Sequence, residues 1–152
     1  MGRRALVLAA VAGLLGTALV LSLVDQRLRA GEDRALEACG DRAYAAAVRA
    51  DSVLGSMAEY VRPSIAERSG LWVLMSEAAE RARPPIDAAL AVCEDVQVRA
   101  VHRTHMRERA AYVDYLTARR DRLDAIVADG RASAESDPAL ARLREAAFGD
   151  RP

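Results

Sequence analysis

Two cysteines are the residues best suited to covalent chemistry in this chain. Cys39 and Cys93 fall on the apolar stripes of predicted helices, and no C-x-x-C pair is present. A redox or metal-binding pair needs that close spacing, so we expect a disulfide between two helices. The even cysteine count and a thin core favour this bond over two buried thiols. A disulfide in turn predicts a domain outside the cytoplasm.

The two histidines are the next candidates for chemistry. His102 and His105 lie one helical turn apart, where they could begin a metal or haem site. Structural zinc needs four ligands, and a di-iron bundle needs Glu-x-x-His on two helices. The sequence contains neither pattern and no C-x-x-C-H motif. We therefore expect no metal and no cofactor, and we interpret both histidines as solvated or packed side chains.

A row of arginines is the third candidate. Arg99, Arg103 and Arg107 recur every four residues and would share one face of a helix. Such a row can bind carboxylates or phosphates of a partner. The alternative is a solvated face that pairs with acids of the first helix, such as Asp51. We prefer this alternative because exposed charge rows are common, and we keep the three arginines as partner-binding candidates.

Motifs for catalysis are missing from the sequence. We find no nucleophile elbow, no glycine-rich phosphate loop and no paired-carboxylate motif. The formal net charge of +0 also argues against a nucleic-acid partner, which usually requires a basic excess. No small-molecule substrate is indicated either. The sequence predicts a protein that is not an enzyme.

An apolar N-terminal segment precedes all of these residues. Ala5–Val24 contains no charged residue and, as a helix, would span about 30 Å, the thickness of a bilayer core. No small-residue cleavage site follows it, so we expect an uncleaved single-pass transmembrane anchor. Ala9, Gly13 and Thr17 would allow a second copy to pack closely. The arginines on the two sides of the segment differ too little to predict its orientation in the membrane. The predicted disulfide therefore decides it: we expect the N-terminus in the cytoplasm and the rest of the chain outside it.

The residues that follow this segment predict helices packed around a small hydrophobic core. Leu, Val, Ile and Phe account for only 24 of the 128 residues that follow Val24, and alanine fills many stripe positions. The first helix, from Asp25, turns either at Gly55–Ser56 or at Arg62–Ser64. A Cys39–Cys93 bond fits the Gly55 corner, with Pro63 as a kink inside the second helix.

Prolines and glycines predict the remaining boundaries. We expect Pro84-Pro85 to end the second helix and a long helix to run from Ile86 to Asp129. Asp137-Pro138 then begins a short helix that Gly149 ends. The fold class is all-α: an N-terminal transmembrane helix, then an alanine-rich up-down-up bundle with one long helix and a short C-terminal helix. The predicted domains are 1–24 (tail and anchor), 25–129 (bundle), 130–137 (linker) and 138–152 (short helix and tail).

The densest apolar run outside Ala5–Val24 begins the second helix. Five successive apolar residues cover every side of a helix, so we expect this run to be buried between helices or against a partner protein. All five are partner-binding candidates: Leu71, Trp72, Val73, Leu74 and Met75.

These features predict a non-catalytic, single-pass envelope protein. Its expected role is that of a structural or accessory subunit that binds another envelope protein, or a second copy, through its helical ectodomain. One alternative is a ligand-sensing bundle that works with a separate signalling partner. A further alternative follows from overall size and layout: a chain with an N-terminal anchor and a helical, cysteine-bearing ectodomain resembles the inner-membrane spanins of phage lysis systems. That resemblance implies a lysis function.

Overall fold

The protein is all-α in the part of the chain that its computed structural model describes. Residues 3–60, 68–129 and 137–149 are described, with side chains omitted at 3–12, 56–60, 68–72 and 129. These ranges contain four helices and no strand. The helices are α1 (Arg3–Tyr60), α2 (Arg68–Asp95), α3 (Arg103–Asp129) and α4 (Pro138–Phe148). The predicted all-helical class is confirmed.

The chain divides into two compact units within α1. The first unit is Met1–Arg34 and the second is Ala35–Pro152. The structure does not support the transmembrane helix predicted over Ala5–Val24. In the described ranges, no helix combines the length and the apolarity that crossing a bilayer requires.

The first helix passes through its predicted corner. α1 is unbroken from Arg3 through Gly55 to Tyr60, so the turn predicted at Gly55 is wrong. A glycine inside a helix costs only about 1 kcal/mol relative to alanine. A glycine that caps the C-terminus of a helix adopts a positive φ. Among the described residues only Gly149 has a positive φ, so Gly55 is not such a cap. The predicted kink at Pro63 lies outside the described residues.

The second helix contains both of the prolines predicted to end it. α2 runs from Arg68 to Asp95 with Pro84 and Pro85 inside it, so that boundary is also wrong. Each proline removes one hydrogen bond, to the carbonyl of Glu80 or of Arg81. Both of these residues are exposed, so water can solvate the two carbonyls. Buried residues on either side hold the helix together, Ala82 before the prolines and Ile86 after them.

The long helix predicted from Ile86 to Asp129 is interrupted. Residues 96–102 are not helical, and α3 begins only at Arg103. The backbone N–H of His102 donates to the Arg99 carbonyl (2.9 Å), and Met106 N–H donates to the His102 carbonyl (3.1 Å). These two bonds form a turn and then begin a new helix. The chain therefore changes direction here and not at the prolines.

The disulfide fixes how α1 and α2 are aligned. Cys39 and Cys93 are bonded, with a Cα–Cα distance of 5.0 Å. Cys39 lies 21 residues before the end of α1, and Cys93 lies 25 residues after the start of α2. The difference of four residues corresponds to only about 6 Å of helix. The two helices are antiparallel, and the bond needs no corner at Gly55.

The other helices complete an up-down-up-down order within Ala35–Pro152. Arg83 of α2 contacts Asp124 of α3 at 3.0 Å, whereas Arg109, near the start of α3, contacts the end of α2. α2 and α3 are therefore antiparallel. Asp51 of α1 contacts Arg144 of α4 at 3.9 Å. The short α4 lies against the bundle and ends it.

The core of this unit is lined by alanine along α1 and α2. The buried positions follow helical spacing from each cysteine, as expected for two facing stripes. On α1 they are Leu36, Cys39, Ala43, Ala46, Ala47 and Ala50; on α2 they include Ala79, Ala82, Ile86, Ala89, Leu90 and Cys93. Small side chains allow the two helices to approach closely.

The last helix has the boundaries that its sequence predicts. The Asp137 side chain accepts hydrogen bonds from the backbone N–H groups of Ala139 (2.9 Å) and Leu140 (3.4 Å). Gly149 ends the helix with a φ of 57° and donates its N–H to the Glu145 carbonyl. Both signals are local, which is why the sequence predicts them correctly.

Candidate functional site

The predicted disulfide is present and buried. Neither Cys39 nor Cys93 has any exposed surface. A reactive cysteine pair needs solvent access, so this bond is built for structure and not for thiol exchange. The predicted pairing is confirmed.

An arginine from α3 covers the end of α2 beside that bond. Arg109 donates from Nε to the Cys93 carbonyl (3.0 Å) and from Nη2 to the Glu94 carbonyl (2.6 Å). The last carbonyls of a helix have no partner within the helix, and a cation there also interacts favourably with the helix dipole. Arg109 therefore joins the third helix to the disulfide-linked pair.

The three arginines of the predicted row do not share one helical face. Arg99 lies in the non-helical segment and is half-buried, whereas Arg103 and Arg107 are exposed on the first turns of α3. The single-face prediction is wrong because the helix that should have carried all three is interrupted. Asp51, expected to pair with such a row, instead pairs with Arg119 and Arg144.

The two histidines lie together beside Arg99. His102 is buried and His105 half-buried, and their rings meet edge to face with centroids 5.4 Å apart. Arg99 Nη2 is 3.3 Å from His102 Nε2. A guanidinium can only donate, so this contact requires an unprotonated Nε2 that accepts. This contact does not involve Nδ1 of His102, so the expectation that neither histidine binds a metal stays a prediction.

The apolar run at the start of α2 is only partly buried. Met75 is half-buried against the core, but Val73 is 57% exposed and Leu74 is 44% exposed. Of the two alternatives for this run, burial between helices of the same chain does not hold for these two residues, and coverage by a partner stays a prediction. The side chains of Leu71 and Trp72 lie outside the described part.

A partly buried ion pair links α1 to α3, and a longer contact links it to α4. Arg119 donates from Nη2 to Asp51, and the Arg119 side chain is only 10% exposed. Arg144 approaches the other oxygen of the same carboxylate. Arg119 Nε is buried and has no hydrogen-bond partner within the described structure. Two arginines already contact this carboxylate. We therefore interpret the cluster as a connection between α1, α3 and α4 and not as a binding site.

Aromatic rings pack around the last residue of α4. Phe148 lies 5.6 Å from Tyr44, 5.9 Å from Tyr112 and 5.1 Å from Tyr115, measured between ring centroids. Burial raises the pKa of the Tyr115 hydroxyl above its ordinary 10.0; Arg119 opposes this shift and Asp51 adds to it. The hydroxyl therefore stays neutral at physiological pH, as a packing group does.

One glycine sets the distance between α1 and α3. A Cβ built on Gly40 would lie 2.8 Å from the Tyr112 hydroxyl oxygen and 2.9 Å from the adjacent ring carbon. Contacts this short do not occur without a shift of the ring. Gly40 therefore allows Tyr112 to reach across and to donate to Glu108 at 3.3 Å. Sequence reasoning missed this role, because Gly40 interrupts no helix.

Comparisons with known proteins add no assignment. The chain matches no protein-family model, no curated protein and no solved structure.

Proposed function

We propose that this protein is a non-catalytic accessory subunit that binds another envelope protein through its helical part. The observation that carries the proposal is the exposure of Val73 and Leu74, the middle of the densest apolar run outside Ala5–Val24. Single exposed apolar residues are normal, but adjacent ones within such a run are typical of protein interaction sites. The partner surface is an apolar patch that covers this part of α2.

A membrane location is the second part of the proposal. It rests on the apolar sequence of Ala5–Val24 and on seven large apolar side chains there that are all at least half exposed: Leu14, Leu15, Leu19, Val20, Leu21, Leu23 and Val24. Apolar surface of this extent is unfavourable in water, and lipid would cover it. The disulfide supports an oxidising compartment for the remainder of the chain.

A pair of charge substitutions tests the partner surface. The tagged full chain with Val73→Asp and Leu74→Asp is purified from solubilised membranes, and co-purified proteins are quantified against the wild type. Val48→Asp is the matched control, since Val48 is also 44% exposed but lies on α1. A protein enriched by the wild type and the control but lost with the double variant is then purified, and its direct binding is measured.

The partner proposal predicts at least a tenfold weaker direct binding for the double variant, with urea unfolding unchanged within about 0.5 kcal/mol. Equal binding by wild type and double variant overturns it. The membrane location is tested separately by washing membranes at alkaline pH and by reporter fusions to the C-terminus. Release of the chain into the wash, or a cytoplasmic C-terminus, overturns that part.

A further inference from the structure

The segment from Val96 to Arg107, here called the basic loop, combines cationic and apolar side chains. It contains three arginines and no acidic residue, although the whole chain has a net charge of +0. Arg103 and Arg107 are exposed. Val101 is 76% exposed, the most exposed large apolar side chain described, and Met106 is 46% exposed. Exposed arginines and apolar tips thus alternate along one short surface.

The disulfide determines which end of the bundle carries this loop. Because α1 and α2 are antiparallel and joined at Cys39–Cys93, Val96 lies level with Leu36, and the loop continues beyond it. The basic loop is therefore at the end where α1 enters the second unit, at Ala35. Only ten residues lie between Val24 and Ala35, and the eleven steps between them span at most about 40 Å.

We propose that the basic loop binds the surface of a bilayer that contains anionic phospholipid. Arg103 and Arg107 would bind lipid phosphates, and Val101 and Met106 would enter the headgroup layer, as in other interfacial segments. The inference rests on the proposed membrane location, because attachment through Ala5–Val24 would hold the loop at a high effective concentration near the lipid. An acidic protein would also attract the arginines, but its contact would leave the exchange of the loop independent of phosphatidylglycerol.

Hydrogen–deuterium exchange of the full chain in vesicles tests this contact. Wild-type protein is reconstituted into phosphatidylcholine vesicles with or without phosphatidylglycerol, and exchange is followed in peptides that cover the loop. We expect exchange at least fivefold slower with phosphatidylglycerol, and loss of this difference in high salt. Arg103→Gln with Arg107→Gln should abolish the difference. Arg42→Gln with Arg49→Gln, two exposed arginines of α1, should retain it.

The outcomes separate this inference from the proposed function. Equal loop exchange in the two vesicle types, with the chain resistant to alkaline washing, overturns the loop contact and leaves the membrane location intact. Release of the chain by that washing overturns the membrane location and the loop contact with it. Loss of the difference in the Arg42 and Arg49 variant would also overturn the assignment, because it would reflect overall charge.

Discussion

The two sides of the helical unit are stabilised in different ways. Along α1 and α2 the buried side chains are mostly alanines, and one disulfide joins the helices. Around α3 and α4 the buried side chains are large, with Tyr115, Leu116 and Leu123 among the largest that are fully buried. An alanine buries little apolar area, so close packing alone yields little stabilisation there. The comparison indicates that the disulfide compensates for the small side chains of α1 and α2. Around α3 and α4, the apolar area buried by large side chains provides the stabilisation.

Removing the disulfide should produce the largest effect. Cys39→Ala with Cys93→Ala should lower the free energy of unfolding by about 4 kcal/mol, since a bond between residues 54 apart restricts the unfolded chain strongly. Urea unfolding of the full chain in mild detergent measures this loss. Each single Cys→Ala variant should lose a similar amount, because the cross-link and not one side chain is responsible. A loss below about 1 kcal/mol would show that the disulfide does not compensate for the small side chains of α1 and α2.

Enlarging a buried alanine should have a smaller effect. Ala47 is 1% exposed, so Ala47→Leu should overpack the contact of α1 with its neighbours and cost about 1–3 kcal/mol. Ala45→Leu is the control, because Ala45 is exposed two residues away on the same helix. Thermal unfolding followed by circular dichroism distinguishes them. If Ala47→Leu were as stable as the control, the α1 side of the core would contain unfilled space.

Alkaline pH should give the smallest effect, on the aromatic side. Because burial raises the pKa of Tyr115 in the folded protein, its contribution to stability is complete below pH 10.0 and is lost as the pH rises through the folded value. Tyr115→Phe should therefore reduce the loss of stability that occurs as the pH rises above about 10. Urea unfolding at several pH values measures the difference between wild type and variant. Identical pH profiles would show that the hydroxyl is solvated in the folded state.

Local signals made part of this fold predictable. The disulfide followed from two cysteines on apolar stripes, and α4 followed from Asp137 and Gly149 at its ends. The position of the turn between the first two helices could not be predicted in this way. The sequence predicts that Pro84-Pro85 reverses the chain, and a reversal there requires a turn at Gly55 to bring the cysteines level. In the structure α2 continues to Asp95, so one mistaken boundary produced the other.

Contacts between residues that are far apart in the chain could not be predicted from the sequence. Asp51 and Arg119 lie 68 residues apart, and with 22 basic residues in the chain no pattern selects Arg119. Similarly, Arg109 reaches back 16 residues to the end of α2, and this required the interruption after Asp95 that the sequence did not reveal. The exposure of Val73 also depends on which neighbours cover it, a tertiary property that helical periodicity does not contain.

The Arg109 contact has a consequence for the order in which the protein matures. Both cysteines leave the ribosome before Arg109 does, so the final carbonyls of α2 stay open to water until α3 has been synthesised and has docked. Until then Cys93 lies near a helix end whose last carbonyls lack partners, so its thiol is more accessible than in the folded bundle. When Arg109 arrives, it closes that end and the finished bond is buried. A disulfide that forms before α3 docks is thus shielded from reduction once the third helix is in place.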